Sequence, residues 1–352
     1  MPEKNEKLKP RPGRRALILA LKLAVVIGLV WAMVAFDWLD AETMRSAVSK
    51  PWLLALAALM MLVALLLTIV RWRTLLAVQG IRPDPWDVLR LGFIGFFFSN
   101  VIPGSVGGDA VKSYYVGREH GKMVEAITSV LVDRFVGLYT FLLTASVAAG
   151  ACWWSGGYAK VFADARIVTL CWAVVGLVAG MSLFSAVVLS RTARNSRAIN
   201  LLLERLPLKK HIRRLYDAIY LYRDKKRALA FILAVSVTAQ VPMALGIFTL
   251  GRCVGDGRPG LAAYFFLAPV GLVVNTVPIS PGGLGTGEAA WEVLFGAFGS
   301  GAGAEVAAWW HVLFIGWSLV GMVFYLKGKR AYDAAMKQGD AVEMPDAAAD
   351  VH

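Results

Sequence analysis

Apolar runs of membrane-crossing length alternate along this chain with short charged segments. The first, Ala16–Phe36, is broken only by Lys22, near enough to the end for its ammonium to snorkel. At 21 residues it exceeds a signal-peptide core, and no small-residue cleavage site follows it cleanly. Pro51–Val70, Ala126–Ala149, Ile167–Leu189, Ala228–Gly251 and Glu305–Leu326 follow, which makes six predicted spans. Two further apolar runs, Trp86–Ile102 and Leu261–Val277, are too short or too broken for an ordinary crossing. Each leads into a glycine cluster.

The clusters are variants of one pattern. Asn100-Val-Ile-Pro-Gly-Ser-Val-Gly-Gly-Asp109 returns as Asn275-Thr-Val-Pro-Ile-Ser-Pro-Gly-Gly-Leu-Gly-Thr-Gly-Glu288. Both read Asn-x-x-Pro, then glycines, then a carboxylate that opens a new apolar segment. The second carries three extra residues beside Pro281 and one more near Thr286. Paired interrupted hydrophobic segments in corresponding halves point to a transporter's binding site. The expected fold is an all-α polytopic membrane protein with six full spans and two re-entrant helical hairpins in an inverted repeat. Its halves are about 16–150 and 167–326.

Charge sets the orientation. Segment 190–227 holds twelve Lys or Arg against Glu204, Asp217 and Asp224, a balance of +9, and the positive-inside rule assigns it to the cytoplasm. The basic tail 1–15, Arg71 with Arg73, and Lys327 to Arg330 then share that side, so both termini are expected there. Lys112, Arg118 and Lys122 follow the first glycine cluster, so Trp86–Gly117 enters and leaves by one face. An odd number of spans inverts the second half, and its hairpin enters from the other. Ile212, Leu215, Ile219 and Tyr222 recur at helical spacing, which predicts a helix lying on the anionic leaflet. The tail 331–352 is rich in Ala and acidic residues and is predicted to be unstructured.

Composition narrows the class. The chain is 58% hydrophobic over 352 residues, with mean hydropathy +0.60, an integral membrane profile. The net charge of +13 records topology, and no nucleic-acid partner is expected. Cys152, Cys171 and Cys253 have no metal or redox spacing, although Cys152 and Cys253 fall where one face of the membrane would bring a disulfide within reach. No metal or cofactor site is expected. Gly176-x-x-x-Gly180 marks either a close helix contact or chance in a glycine-rich chain.

Non-helical backbone at membrane depth must be buried in protein or line a wet cavity. Gly104, Gly107 and Gly108, with Gly282, Gly283, Gly285 and Gly287, permit tight turns and leave amides unshielded at a helix start, an anion site suited to phosphate. No strand precedes either cluster and the Lys-Ser/Thr pair is missing, so these are not P-loops. Asp109 and Glu288 open the return helices, either as caps or as proton or cation sites. Asp133 and Arg134 lie within a span, where ionisable residues usually face an interior pathway. Arg134 has two uses open to it: a bidentate hold on phosphate, or an ion pair with Asp109 or Glu288. Lys112, one turn after Asp109, reaches the same cavity. Arg71, Trp72 and Arg73 read first as an interface anchor and second as a headgroup clamp, and Arg118 as an interfacial cation or headgroup contact. Asn100 and Asn275 are placed to bond backbone freed at the breaks. His311 reads as a satisfied buried residue.

Arg71-Trp-Arg73, Pro103-Gly-Ser-Val-Gly-Gly-Asp109, Arg118, Asp133-Arg134 and Pro281-Gly-Gly-Leu-Gly-Thr-Gly-Glu288 together resemble the lysylphosphatidylglycerol synthase transmembrane-region, or flippase-like domain, family. The likeness covers about residues 16–330. Bifunctional relatives add a cytosolic aminoacyl-transferase domain, while the membrane part moves lipid. The chain stops after the last span, so the resemblance implies translocation without synthesis, of a lipid other than or including the lysyl form. Lys112 stands where the family is expected to prefer Arg, which weakens a bidentate phosphate contact there.

The expectation is a lipid translocase of the bacterial cytoplasmic (inner) membrane, acting on a phospholipid or a polyprenyl-phosphate type of lipid. In it Arg134, Lys112 and the glycine-turn amides hold the phosphate, and Asp109, Asp133 and Glu288 gate. The alternatives are a membrane enzyme acting on a lipid phosphate, with Asp109 or Glu288 as base, and a non-transporting partner of a separate lipid-modifying enzyme. The sequence leaves the oligomeric state open.

Overall fold

The computed structural model describes residues 48–101, 107–195, 209–276 and 286–339. Every regular element among them is helical. We number the main helices α1 (Pro51–Val78), α2 (Pro85–Val101), α3 (Gly107–His120), α4 (Met123–Trp154), α5 (Ala165–Val188), α6 (Lys209–Tyr220), α7 (Lys226–Cys253), α8 (Leu261–Asn275), α9 (Thr286–Ala297) and α10 (Gly303–Gly339). Five of them, α1, α4, α5, α7 and the Gly303–Lys327 part of α10, are long and apolar enough to cross a membrane. The first predicted span, Ala16–Phe36, lies outside the described residues, as do Gly104, Gly282, Gly283 and Gly285 of the glycine clusters. The two broken runs of the sequence appear as helix pairs, α2 with α3 and α8 with α9.

Helix α1 begins with Pro51 in its first turn, where a missing N–H costs nothing. It ends at Gly80, whose φ of 72° suits a residue without Cβ. There Ile81 N donates to Leu76 O and Gly80 N to Ala77 O, and the Leu76 and Ile81 side chains are both buried. That is the Schellman arrangement, with its hydrophobic contact in place. It recurs at Gly121 after α3, at Gly255 after α7 and at Gly299 after α9, each with positive φ and the matching six-residue backbone bond.

These four ends reveal a repeat. Setting α1, α2, α3 and α4 against α7, α8, α9 and α10 matches Gly80 with Gly255 and Gly121 with Gly299. The packing obeys the same exchange: α2 packs on α10 as α8 packs on α4, and α1 packs most extensively on its own counterpart α7. The loops are tied in parallel too. Lys122 Nζ donates to Gly80 O at 3.1 Å in one half, and Ser300 Oγ donates to Asp256 Oδ2 at 2.6 Å in the other.

Helices α1 and α7 run antiparallel along their length. Lys50 Nζ bonds the carbonyls of Arg252 and Cys253, Gly246 lies against Ala57 and Met60, and Tyr222 just before α7 donates to Leu75 O. The open end of the α2–α3 pair, at Gly80 and Lys122, therefore lies at the opposite end of the bundle from the open end of α8–α9. The latter meets Tyr158 through Gly260 and Phe298. Each pair has its own apolar core, one around Trp72, Val88, Phe93 and Val116 and one around Tyr264, Phe266, Trp291 and Phe295.

Several expectations are corrected. Helix α1 continues past Val70, so Arg71 and Trp72 sit on a buried face of a longer helix and only Arg73 is exposed. An interface anchor needs side chains at the helix end, and the first two are inside. The amphipathic α6 packs on α4, with Leu215 and Ile219 half-buried, Tyr222 buried beyond it, and Gln79 donating to Ala218 O. Its apolar face thus finds protein. Gly176 and Gly180 face open space, so they make no close helix contact within the described chain. All three cysteines are free. The backbone is helical through residues 331–339, where composition predicted an unstructured tail; the Ala-rich stretch there has high helix propensity.

The α2–α10 contact depends on glycine. A Cβ at Gly321 would be driven into the Phe93 backbone, whereas one at Gly316 on the same helix meets nothing. Gly321→Ala is expected to destabilise the detergent-solubilised protein by about 1–3 kcal/mol, the cost of overpacking. Gly316→Ala, which gains helix propensity with no clash, should leave the thermal unfolding midpoint unchanged or higher. Equal midpoints for the two variants would refute the close crossing.

Candidate functional site

A cavity of about 500 Å³ lies where the inner ends of the two helix pairs approach each other, with walls from α1, α2, α3, α4, α7, α8 and α10. Most of its lining is apolar, including Leu65, Ile69, Phe96, Phe141, Leu272 and Phe314. Into this setting the chain brings Arg71, Asp109, Lys112, Asp133 and Arg134, together with Asn100, Asn275 and His311. Three cations therefore face two carboxylates, an excess of one positive charge before His311 is counted.

The charges are paired across helices. Arg71 Nε of α1 lies 2.7 Å from Asp133 Oδ1 of α4. Asp109, in the first turn of α3, is shared: Lys112 Nζ approaches Oδ1 at 2.8 Å and Arg134 Nε donates to Oδ2. Asp133 and Arg134, adjacent in sequence and about 100° apart around a helix, therefore serve different partners. Lys112 also stands 5.0 Å above the Trp72 ring, a cation–π contact, and its stem lies along Gly95. Trp72 Nε1 donates to Ser129 Oγ at 3.3 Å, which fixes the indole. Apolar surroundings make such pairs obligatory, because an isolated buried charge is far costlier than a matched one.

The second half holds a related pair. Glu288, in the first turn of α9, is buried, and its Oε1 lies 2.8 Å from His311 Nδ1 of α10. His311 lines the cavity and Glu288 lies behind it. Asp109 in the first turn of α3 and Glu288 in the first turn of α9 hold matching places in the two helix pairs. Each half thus closes its helix pair with one carboxylate met from the following long helix, 25 residues on in the first case and 23 in the second. Sequence reasoning recognised both carboxylates and treated His311 as a buried residue without function.

Of the other expected residues, Gly108 is pressed against Gly95 O and the Ser99 side chain, so α2 and α3 approach as closely as backbone permits there. Gly107 is buried beside it. Gly287 is packed against Asn275, whose Oδ1 is buried and finds no donor among the described residues. Asn100 Nδ2 donates to Phe96 O one turn back in its own helix, and so bonds helical backbone, not backbone freed at the break. Arg73 and Arg118 do not line the cavity: both are exposed, and Arg118 donates to Tyr114 Oη at 2.9 Å.

No solved structure matches the chain. A UPF0104 membrane protein from Methanothermobacter thermautotrophicus is 24% identical over 314 residues, covering 85% of this chain and 88% of that one. The family model for the lysylphosphatidylglycerol synthase TM region matches residues 19–324, which take in both helix pairs and every charge of the cavity. The protein is a helical, multi-pass membrane protein of the lysylphosphatidylglycerol synthase TM-region family.

Proposed function

We propose that the protein is a lipid translocase that moves a phosphate-bearing lipid across the bacterial cytoplasmic membrane, with both termini and segment 190–227 on the cytoplasmic side. The observation that carries this reading is the placement of the charged cavity between two broken helix pairs whose open ends lie at opposite ends of the bundle. Broken helices meeting at mid-depth are the arrangement by which repeat-built transporters expose one site to two sides in turn. The two pairs act here as re-entrant hairpins, one from each face.

The excess positive charge of the cavity suits one phosphate, and a guanidinium offers it two parallel donors. Lys112 supplies a further point charge, and the amides of the glycine turns complete the hold. Asp109 and Asp133 gate the path by yielding a protein cation to the substrate phosphate, and Glu288 gates it through its contact with His311. A phospholipid or a polyprenyl-phosphate type of lipid meets these requirements. The match to the family supports the membrane setting, and the substrate class rests on the charge of the cavity.

Purified protein reconstituted in vesicles should accelerate transbilayer movement of a fluorescent anionic phospholipid or polyprenyl phosphate. Movement no faster than in empty vesicles, over a panel of both lipid types and of pH gradients, would sink the proposal. Arg71→Ala removes one charge-assisted bond and leaves Asp133 without its cation. At about 1.5–3 kcal/mol for such a bond, the rate should fall roughly tenfold to a hundredfold.

Single cysteines at Ser105 and Thr286 give an independent check. In intact cells, a membrane-impermeant thiol reagent should reach the two positions from opposite sides, in proportions that change when substrate lipid is supplied. Labelling of both from one side only excludes two opposed hairpins.

A further inference from the structure

The five charges of the cavity are not equally enclosed. Side-chain exposure is 8% for Arg71, 11% for Lys112, 12% for Asp109 and 14% for Asp133, but 39% for Arg134. The sequence of α4 explains the difference. Ile127, Leu131, Arg134 and Leu138 follow at intervals of four, three and four, which places them on one helix face, and all four are exposed. In a membrane-spanning helix such a face meets acyl chains. Arg134 therefore stands on a lipid-facing stripe and turns inward to reach Asp109, while Leu138 belongs to the stripe and to the cavity wall at once.

We infer that Arg134 is a lateral latch. A lipid phosphate arriving along the α4 stripe takes the guanidinium from Asp109 and is drawn into the cavity, while its acyl chains stay on Ile127, Leu131 and Leu138. This rests on the carrier reading above and adds the route of entry, the residue that admits the headgroup and the two-part nature of the ligand.

Three observations support the assignment. Asp109 is bound by two cations, one on each oxygen, so departure of Arg134 leaves the carboxylate still paired with Lys112. Losing one of two partners is a smaller penalty than leaving a buried carboxylate alone. Lys112 is unsuited to exchange, because the Trp72 ring and Gly95 confine it. A phosphate, finally, presents the same planar pair of acceptors that a carboxylate presents to an arginine fork, so it competes with Asp109 for the same donors. A cavity of about 500 Å³ accepts a headgroup, and the apolar stripe beside it accepts the chains.

The test uses the full chain in a phosphate-free detergent, with phosphatidylglycerol carrying a photoreactive acyl chain and diacylglycerol carrying the same chain as control. The latch predicts light-dependent labelling of residues 127–141 by the phospholipid and not by diacylglycerol, with inorganic phosphate at equal concentration failing to compete. Arg134→Gln should reduce labelling to the diacylglycerol level and Arg134→Lys should restore part of it. Asp109→Asn should raise labelling severalfold, since it removes the carboxylate that competes with the phosphate for the guanidinium. An ion pair serving structure alone gives the opposite result, with Asp109→Asn and Arg134→Gln losing labelling together. Leu138→Trp, at an exposed position that leaves the core intact, should block the groove, and unchanged labelling there overturns the inference. Displacement by inorganic phosphate also overturns it, since the ligand is then a free anion. Labelling reports binding alone. Absence of transport with labelling intact defeats the carrier reading, whereas transport with labelling absent defeats the latch.

Discussion

A carboxylate inside an apolar helix bundle must be met by a cation, and Asp109 is met by two. That constraint organises the centre of this protein. The first turn of α3 brings Asp109 to the cavity, α4 brings Arg134 to it, and the next turn of α3 brings Lys112. Asp133, one residue before Arg134, then needs its own partner, and α1 supplies Arg71. Three helices are thereby held around one volume by charge, in a region where apolar side chains give little preference for one helix orientation over another. Lipid is as apolar as a leucine face, so packing and polar contacts settle how membrane helices meet.

Around that centre the chain uses one plan twice. Four helices end in the same left-handed glycine cap at matched positions, and the loop after each helix pair is tied back to the end of the preceding long helix. The two ties use different chemistry, a lysine on a carbonyl in one half and a serine on an aspartate in the other. What is repeated is backbone geometry and the points at which loops must meet. The antiparallel α1–α7 contact then sends the two helix pairs inward from opposite ends, because each pair follows its own member of that antiparallel couple.

Much of this was legible in the sequence. Run lengths gave the five candidate spans found among the described residues, the Asn-x-x-Pro-glycine clusters marked both breaks, and the carboxylate after the first cluster is Asp109, which reaches the cavity. Pairing was not legible. A sequence shows that Asp133 and Arg134 are adjacent but not that they turn to different helices, and nothing at Arg71 distinguishes an interfacial arginine from a buried one when the helix runs eight residues past the last apolar position expected of it. His311 was passed over for a related reason. A lone histidine carries no local signature, and its contact with Glu288 appears only once α9 and α10 are packed together. The amphipathic α6 was read as lying on lipid because periodicity reports an apolar face and is silent about what covers it.

The two halves share a backbone but differ in chemistry at one equivalent point. Asp109 is held by lysine and arginine, so another anion is what takes a cation from it. Glu288 is held by a histidine of the next long helix. In the carrier reading this difference divides the labour. The first helix pair responds to substrate because a phosphate replaces a carboxylate at the arginine, while the second keeps its Glu288–His311 contact behind the cavity wall. Identical charges in both halves would make both gates obey one signal. Alternating access needs two gates that do not open together, and an inverted repeat with unlike charge pairs supplies that asymmetry without a second fold.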